Sequence, residues 1–247
     1  MSKSWLAWGT GLLLMCMAAP AQAQGVEKGA WKLAGSHLVL SVERLATLAA
    51  WREIEGYWGG GAGAARTWGV DASLLTANTT RRSMTAPRVA FDYVTSNGLT
   101  VGGALGYVRT GGKHGQPNET QYAVSPRIGR LFAYQGIALW LRGGITYSSW
   151  SSTHENHDPV PCDACDSDFG DTPPPPRVTE TRTIYSITLD PQLLVCLAPR
   201  IALSVGVSLD EGLGGTFRRD YDTEFSPYDA DLSSSAYALT TGLSAIF

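Results

Sequence analysis

The chain has 247 residues, 44% hydrophobic and 17% charged, with a formal net charge of −3. So small a charge, with no basic helix and no face that interleaves aromatic and basic residues, excludes a nucleic-acid binder. Beyond the first 23 residues no stretch approaches the roughly 18 apolar residues of a membrane helix, and hydrophobicity is instead dispersed through short alternating runs.

In chain order, Lys3 supplies a positive start, Trp5 to Met17 an apolar core, and Ala21-Gln22-Ala23 a small-x-small cleavage pattern. Together they predict a secretory signal peptide over 1–23. A lipoprotein reading through Cys16 is set aside, because Met15 before it is a poor match to the small residue required. Residues 24–35 are read as a periplasmic N-terminal segment, and 36–247 as one barrel. The first strand is expected from Ser36 to about Ala49, with Leu38, Leu40 and Val42 on one face. The stretch 51–86 is read as one long loop with Gly59 to Gly63 as a flexible spacer, part of it extending the flanking strands. The alternative, a strand over Trp68 to Leu74, leads to nine or ten strands.

Val89, Phe91 and Tyr93 mark the next strand, and Asn97-Gly98 is a strong hairpin signal. Leu99, Val101, Leu105 and Tyr107 then face one way, opposite Gly102, Ala104 and Gly106. Tyr122, Val124, Ile128 and Phe132 precede the turn Tyr134-Gln135-Gly136, and Ile137, Leu139, Leu141, Ile145 and Tyr147 follow it. Tyr185, Ile187, Leu189, Leu193, Val195 and Leu197 lead through Ala198-Pro199-Arg200 to Ile201, Leu203, Val205, Val207 and Leu209. The chain closes with Tyr237, Leu239, Thr241, Leu243, Ala245 and Phe247 on one face of a last strand.

Connections thus alternate between short turns and long loops near 110–119, 151–180 and 214–232. The fold expected is all-β: a closed antiparallel transmembrane β-barrel of eight strands, with short periplasmic turns and long extracellular loops. An even count suits this class, and a barrel cannot be divided without exposing strand edges.

Few charges fall within the strands, and most take the inward face: Glu43, Asp92, Asp190 and Asp210 as acids, Arg88, Arg127 and Arg142 as bases. The interior of eight strands is just wide enough for side chains to fill it, and buried charges must pair. These seven residues are therefore read as a salt-bridged plug, the alternative being a gated narrow pore or a catalytic dyad. Arg44 and Arg130 break the alternation and are assigned to an interface or a bulge.

The stretch 151–180 alone has ligand-like composition. Outside the cell Cys162 and Cys165 are expected to oxidise to a local disulfide. The competing reading makes His154, His157, Cys162 and Cys165 a zinc or copper set, or lets the neighbouring acids attract calcium, although no cofactor is the primary expectation. After cleavage three cysteines remain, which leaves at least one thiol unpaired within the chain. Ser151, Ser152, His154 and Glu155 supply the residue types of a hydrolytic triad, but adjacency in sequence does not make one.

Taken together, the leader, the alternating strands, the loop parity and the terminal Phe247 resemble the small eight-stranded outer-membrane proteins of the OmpA-transmembrane and OmpX type. Phe247 resembles the C-terminal signal that the barrel assembly machinery reads. Ser41-Val42-Glu43-Arg44-Leu45, Ala86 to Tyr93, Ser125-Pro126-Arg127-Ile128-Gly129 and Arg142 to Tyr147 are similar to barrel proteins of myxobacteria-like Gram-negatives, a group with no activity to carry over. The resemblance implies a bacterial outer-membrane location. It also implies contact with outer-membrane lipid and lipopolysaccharide, and a monomer acting through its loops. A lipid-modifying enzyme at the rim and a pore for small solutes are the alternatives.

Overall fold

Strand formation follows from the alternation itself, because a pleated chain sends successive side chains to opposite faces. The computed structural model describes residues 36–58, 61–69, 87–111, 118–134, 136–155, 177–198, 200–222 and 228–247. Nine strands result: β1 His37–Trp58, β2 Gly61–Gly69, β3 Arg88–Val94, β4 Leu99–Thr110, β5 Asn118–Tyr134, β6 Ile137–Glu155, β7 Arg177–Ala198, β8 Ile201–Tyr221 and β9 Tyr228–Ile246. Every pairing is antiparallel, and β1 also pairs with β9, which closes the sheet on itself.

The closed ring contains eight strands, because β2 is not a stave of the wall. It folds back on β1, from Trp58 opposite Gly61 to Ala50 opposite Gly69, whereas β3 takes the lower part of the same edge, from Glu43 opposite Arg88 to His37 opposite Val94. The first loop therefore carries ladder where sequence suggested a spacer: Gly61 to Gly63 pair with Gly56 to Trp58. Residues 70–74 lie outside the described residues.

The strands also run past the expected loop boundaries. β6 continues to Glu155, β7 starts at Arg177, β8 reaches Tyr221 and β9 begins at Tyr228. These extensions carry Thr, Ser, Arg and Asp in both faces, so they lack the apolar row that marks a wall buried on one side. The ladder supplies their backbone hydrogen bonds regardless.

At the short-turn end, Gly98 and Gly136 adopt φ values of 81° and 87°, a left-handed conformation that glycine reaches without steric cost. The chain terminus completes the ring there. Leu38 N donates to Phe247 O at 3.1 Å, and Phe247 N donates to Leu38 O at 2.9 Å. The outward rows anticipated from sequence are exposed and apolar on every stave, among them Leu38, Phe91, Val101, Leu105, Ile128, Leu139, Ile145, Leu193, Val207 and Leu243. The inward rows carry nearly all of the polar and charged side chains that are buried.

Candidate functional site

The lumen is built in layers, starting at the short-turn end. Val39, Val94, Leu131, Ala138, Trp140, Leu194 and Ala202 form an apolar floor. Trp140 is fully buried, and its indole Nε1 donates to Thr100 Oγ1 at 3.1 Å, so the polar tip of the ring is satisfied.

An ion-pair layer lies on this floor. Arg127 grips Glu43 with both terminal nitrogens, Nη1 to Oε2 at 2.9 Å and Nη2 to Oε1 at 2.8 Å, while its Nε donates to Asp92 Oδ1 at 2.9 Å. Arg142 donates from Nη1 to Glu43 Oε1 at 2.5 Å and pairs with Asp190 through Nη2. Gln192 Nε2 donates to the same aspartate at 3.1 Å. Two guanidiniums thus share three carboxylates, and multiple charge-assisted bonds are what allow such groups to leave water. Arg142 also lies over Trp140, 4.3 Å from the ring centroid, which ties the layer to the floor.

Arg44 enters the same interior by a backbone device. The β1–β9 register shifts between Val42 and Ala46, and Arg44 has φ 58°, so Glu43 and Arg44 are consecutive and both buried. A bulge turns the extra residue inward where strict alternation would send it out. Its Nη2 donates to Ser208 Oγ at 2.7 Å and reaches Asp210 Oδ2 at 3.4 Å. Thr188 hydrogen-bonds the other oxygen of Asp210, and a chain of hydroxyls continues through Thr146, whose Oγ1 lies 2.6 Å from Thr188 Oγ1 and donates to Ser125 at 2.8 Å. Arg130 shares the strand parity of the outward residue Ile128 and lies at the short-turn end, with its guanidinium 5.4 Å from the Phe132 ring.

All seven sequence-predicted lumen residues are buried. Six of them, Glu43, Asp92, Arg127, Arg142, Asp190 and Asp210, take part in ion pairs, Asp210 through the unforeseen Arg44. The seventh, Arg88, is buried beside them, yet no ion pair among the described residues includes it.

Two inward rows at the long-loop end escaped the sequence reading. Gln121, Trp150, Arg182 and Phe217 are direct register neighbours across β5 to β8, and so are Glu119, Ser152, Glu180 and Arg219. Arg182 lies over Trp150 at 4.6 Å and over Phe217 at 5.5 Å. Glu180 Oε1 accepts from Arg219 Nη2 at 2.5 Å, and Glu180 Oε2 lies 3.5 Å from Arg182 Nη2. Extending the parity of β7 beyond Tyr185 was the signal available for them.

The candidate loop residues fare differently. His157, Cys162 and Cys165 lie outside the described residues, so of the four proposed metal ligands only His154 is placed, near the end of β6. Strand parity puts Ser152 and His154 on one face of β6 and Ser151 and Glu155 on the other, which separates the carboxylate from the histidine of the triad reading. Cys196 is a free thiol near the short-turn end, its Sγ 3.0 Å from Ala198 O.

No protein-family model matches the chain, and no curated protein matches it. Solved structures similar to it include a major outer membrane protein from Thermus thermophilus, 10% identical with a TM-score of 0.48, covering 85% of this chain and 99% of that one. Neisserial surface protein A is 13% identical with a TM-score of 0.41, over 88% and 99% of the two chains. The outer membrane protease OmpT from Escherichia coli is 9% identical with a TM-score of 0.41, over 91% and 99%.

Proposed function

We propose that the protein is an integral barrel of the bacterial outer membrane whose lumen is plugged, and that it acts through its extracellular loops in contact with lipopolysaccharide, surfaces or partner molecules. The observation that carries this reading is the division of the wall. A full circle of exposed aliphatic and aromatic rows surrounds a lumen of buried ion pairs. An apolar exterior of this extent in water would cost roughly 25 cal/mol for every Å² left exposed, whereas acyl chains solvate it. A closed ring leaves no backbone edge to lipid, which is the condition for crossing a bilayer with strands.

The plug supports a non-enzymatic and non-conducting role. Trp140 and its apolar neighbours fill one end, and Arg127 and Arg142 bind carboxylates from β1, β3 and β7 across the axis. Reconstitution into planar bilayers tests this directly, with no unitary current steps expected; stable conductance from the unmodified protein would sink the plugged reading. Lipid A compared with and without the gene separates the rim-enzyme alternative, and a changed acylation pattern would establish it. Protease digestion of intact cells, cutting only within 156–176 and the other long loops, tests the orientation.

A further inference from the structure

The outer wall carries a ring of aromatic residues toward its long-loop end. Tyr107 on β4 faces Tyr122 on β5, Tyr147 on β6 faces Tyr185 on β7, and Tyr237 on β9 faces Trp51 on β1. The Tyr147 and Tyr185 ring centroids lie 5.1 Å apart, and Trp51 stacks on Tyr237 at 5.0 Å. These pairs do not share one rung. Tyr147 stands two residues nearer the short turns than Ser149, the partner of Tyr122. Tyr237 faces Leu209, whose partner Leu189 stands four residues nearer them than Tyr185. Such a descent between β4 and β9 is what strands tilted by about 40° impose on a level ring. At that tilt the wall from Tyr147 down to Ile137 is about 25 Å tall, the height of the apolar band of a transmembrane barrel. The ring marks the outer edge of the hydrocarbon.

One step beyond it, outward side chains stand at the level of lipid headgroups, and they differ around the circle. On β4 to β7 strand parity places Arg109, Thr120, Ser149 and Thr183 there; on β8, β9 and β1 it places Glu211, Ser235 and Glu53. β4 and β8 are opposite staves of the closed ring, so the cation and the carboxylates face away from each other. Arg109 is exposed, and no ion pair among the described residues includes it. Beside it, Tyr107 is 65% and Tyr122 43% exposed. The Tyr122 hydroxyl lies 3.3 Å from that of Tyr147, and side-chain hydrogen bonds extend this chain to Ser149 and Thr183.

This half of the wall suits an anion that also carries a sugar. A guanidinium binds a phosphate oxygen by charge-assisted hydrogen bonds, whereas carboxylates at the same level on the other half repel it. Tyrosine rings offer a flat apolar surface with a polar rim, and the hydroxyl chain offers donors and acceptors together. The face is also continuous with the lipid-facing wall. Leu105 and Val124, direct partners, are exposed two residues below Tyr107 and Tyr122. A lipid with its acyl chains on Leu105 and Val124 has its head at Arg109.

We propose that the outer face of β4 to β6 docks a phosphorylated glycolipid of the outer leaflet, its phosphate on Arg109 and its saccharide over Tyr107 and Tyr122. This rests on the outer-membrane placement proposed above, but it moves the lipid contact from the loops to the wall.

Lipid A, bisphosphorylated or enzymatically dephosphorylated, is titrated into the full barrel in detergent, and the bound fraction is read by native mass spectrometry. The unmodified protein is expected to half-saturate at about fivefold lower concentration of the phosphorylated form, the worth of one arginine at an anionic lipid surface. Arg109→Gln should lose that preference and Arg109→Lys keep part of it. Arg200→Gln makes the same charge change in a short turn and should keep all of it. No preference in the unmodified protein, or equal loss in Arg109→Gln and Arg200→Gln, overturns the proposal. A preference that survives Arg109→Gln but disappears when residues 156–176 are replaced by an Asn-Gly turn also overturns it, and leaves the loop reading standing. Membrane placement is measured separately, by refolding into lipid vesicles, so the two readings fail apart.

Discussion

Arg142 and Glu43 meet across the barrel axis, the Nη1 of one donating to Oε1 of the other at 2.5 Å, although 99 residues separate them in sequence. Glu43 is held at the same time by Arg127, and Arg142 rests on the face of Trp140. One carboxylate from the first stave thus joins two guanidiniums from the middle of the chain to the apolar floor. Removing a single member leaves its partners buried with one charge-assisted bond fewer.

Arg142→Leu is therefore expected to cost about 3–5 kcal/mol, because Glu43 and Asp190 both lose a buried charged donor. The midpoint of urea unfolding, followed by tryptophan fluorescence, measures this. Adding Glu43→Gln should recover part of the loss, since neutralising the orphaned carboxylate removes much of the penalty. Equal midpoints for the single and double variants would deny that the orphaned carboxylate carries the penalty.

Arg44 poses two opposed effects. Its left-handed φ costs a non-glycine residue roughly 1–2 kcal/mol, whereas its bonds to Ser208 and Asp210 stabilise the fold by more. Arg44→Gly should consequently destabilise the barrel, but by about 1 kcal/mol less than Arg44→Leu, which loses the same bonds and keeps the strain. A pair of denaturation curves settles the order; a glycine variant no better than leucine would deny that the bulge is strained.

On the outer wall, Ile145 is exposed on β6 opposite Ile187 on β7. Ile145→Arg should cost roughly 2–4 kcal/mol in a bilayer, where the charge faces hydrocarbon, and Tyr134→Arg at the short-turn rim only about 0–1 kcal/mol. Refolding yields into lipid vesicles, read from the shift of the folded band in unheated gel samples, give the comparison. Equal yields would contradict a lipid-facing position for Ile145.

Phe247 has a backbone role separate from any role as a signal, because its N–H and C=O both bond Leu38. Phe247→Ala keeps those bonds and should refold in detergent close to normally, whereas deleting Phe247 removes two ladder bonds at the seam, each worth about 1 kcal/mol. If the aromatic ring also serves the assembly machinery, Phe247→Ala lowers the amount of barrel in cells without lowering refolding in vitro. Loss in both assays would instead mean that the ring itself stabilises the seam.

Much of this architecture is legible in the sequence, because alternation is a local property. Which residues face outward on each stave, where the tight turns fall, and the parity that makes the ring eight-membered all follow from neighbours two apart. The inward placement of Glu43, Asp92, Arg127, Arg142, Asp190 and Asp210 follows from the same rule. Strand ends were harder to read. Above Tyr147 on β6 and Tyr185 on β7 the outward row turns polar, so the periodic signal fades while the hydrogen-bonded ladder continues. Gln121, Trp150, Arg182 and Phe217 were hidden in that continuation.

Away from bulges, the face on which a strand residue stands is written in the alternation, since a pleat fixes it without reference to any other strand. Which charges meet is set by how the strands pair. The pairing of Arg142 with Glu43, the sharing of Glu43 with Arg127 and the exclusion of Arg88 depend on register and on closure of β1 against β9. The inward turn of Arg44 depends on a bulge; the break in alternation marks the place, but strand pairing alone distinguishes a bulge from an interface position, because a bulge exists only where one strand holds a residue more than its partner. Such relations belong to pairs of strands, and the closed ring sets them all together.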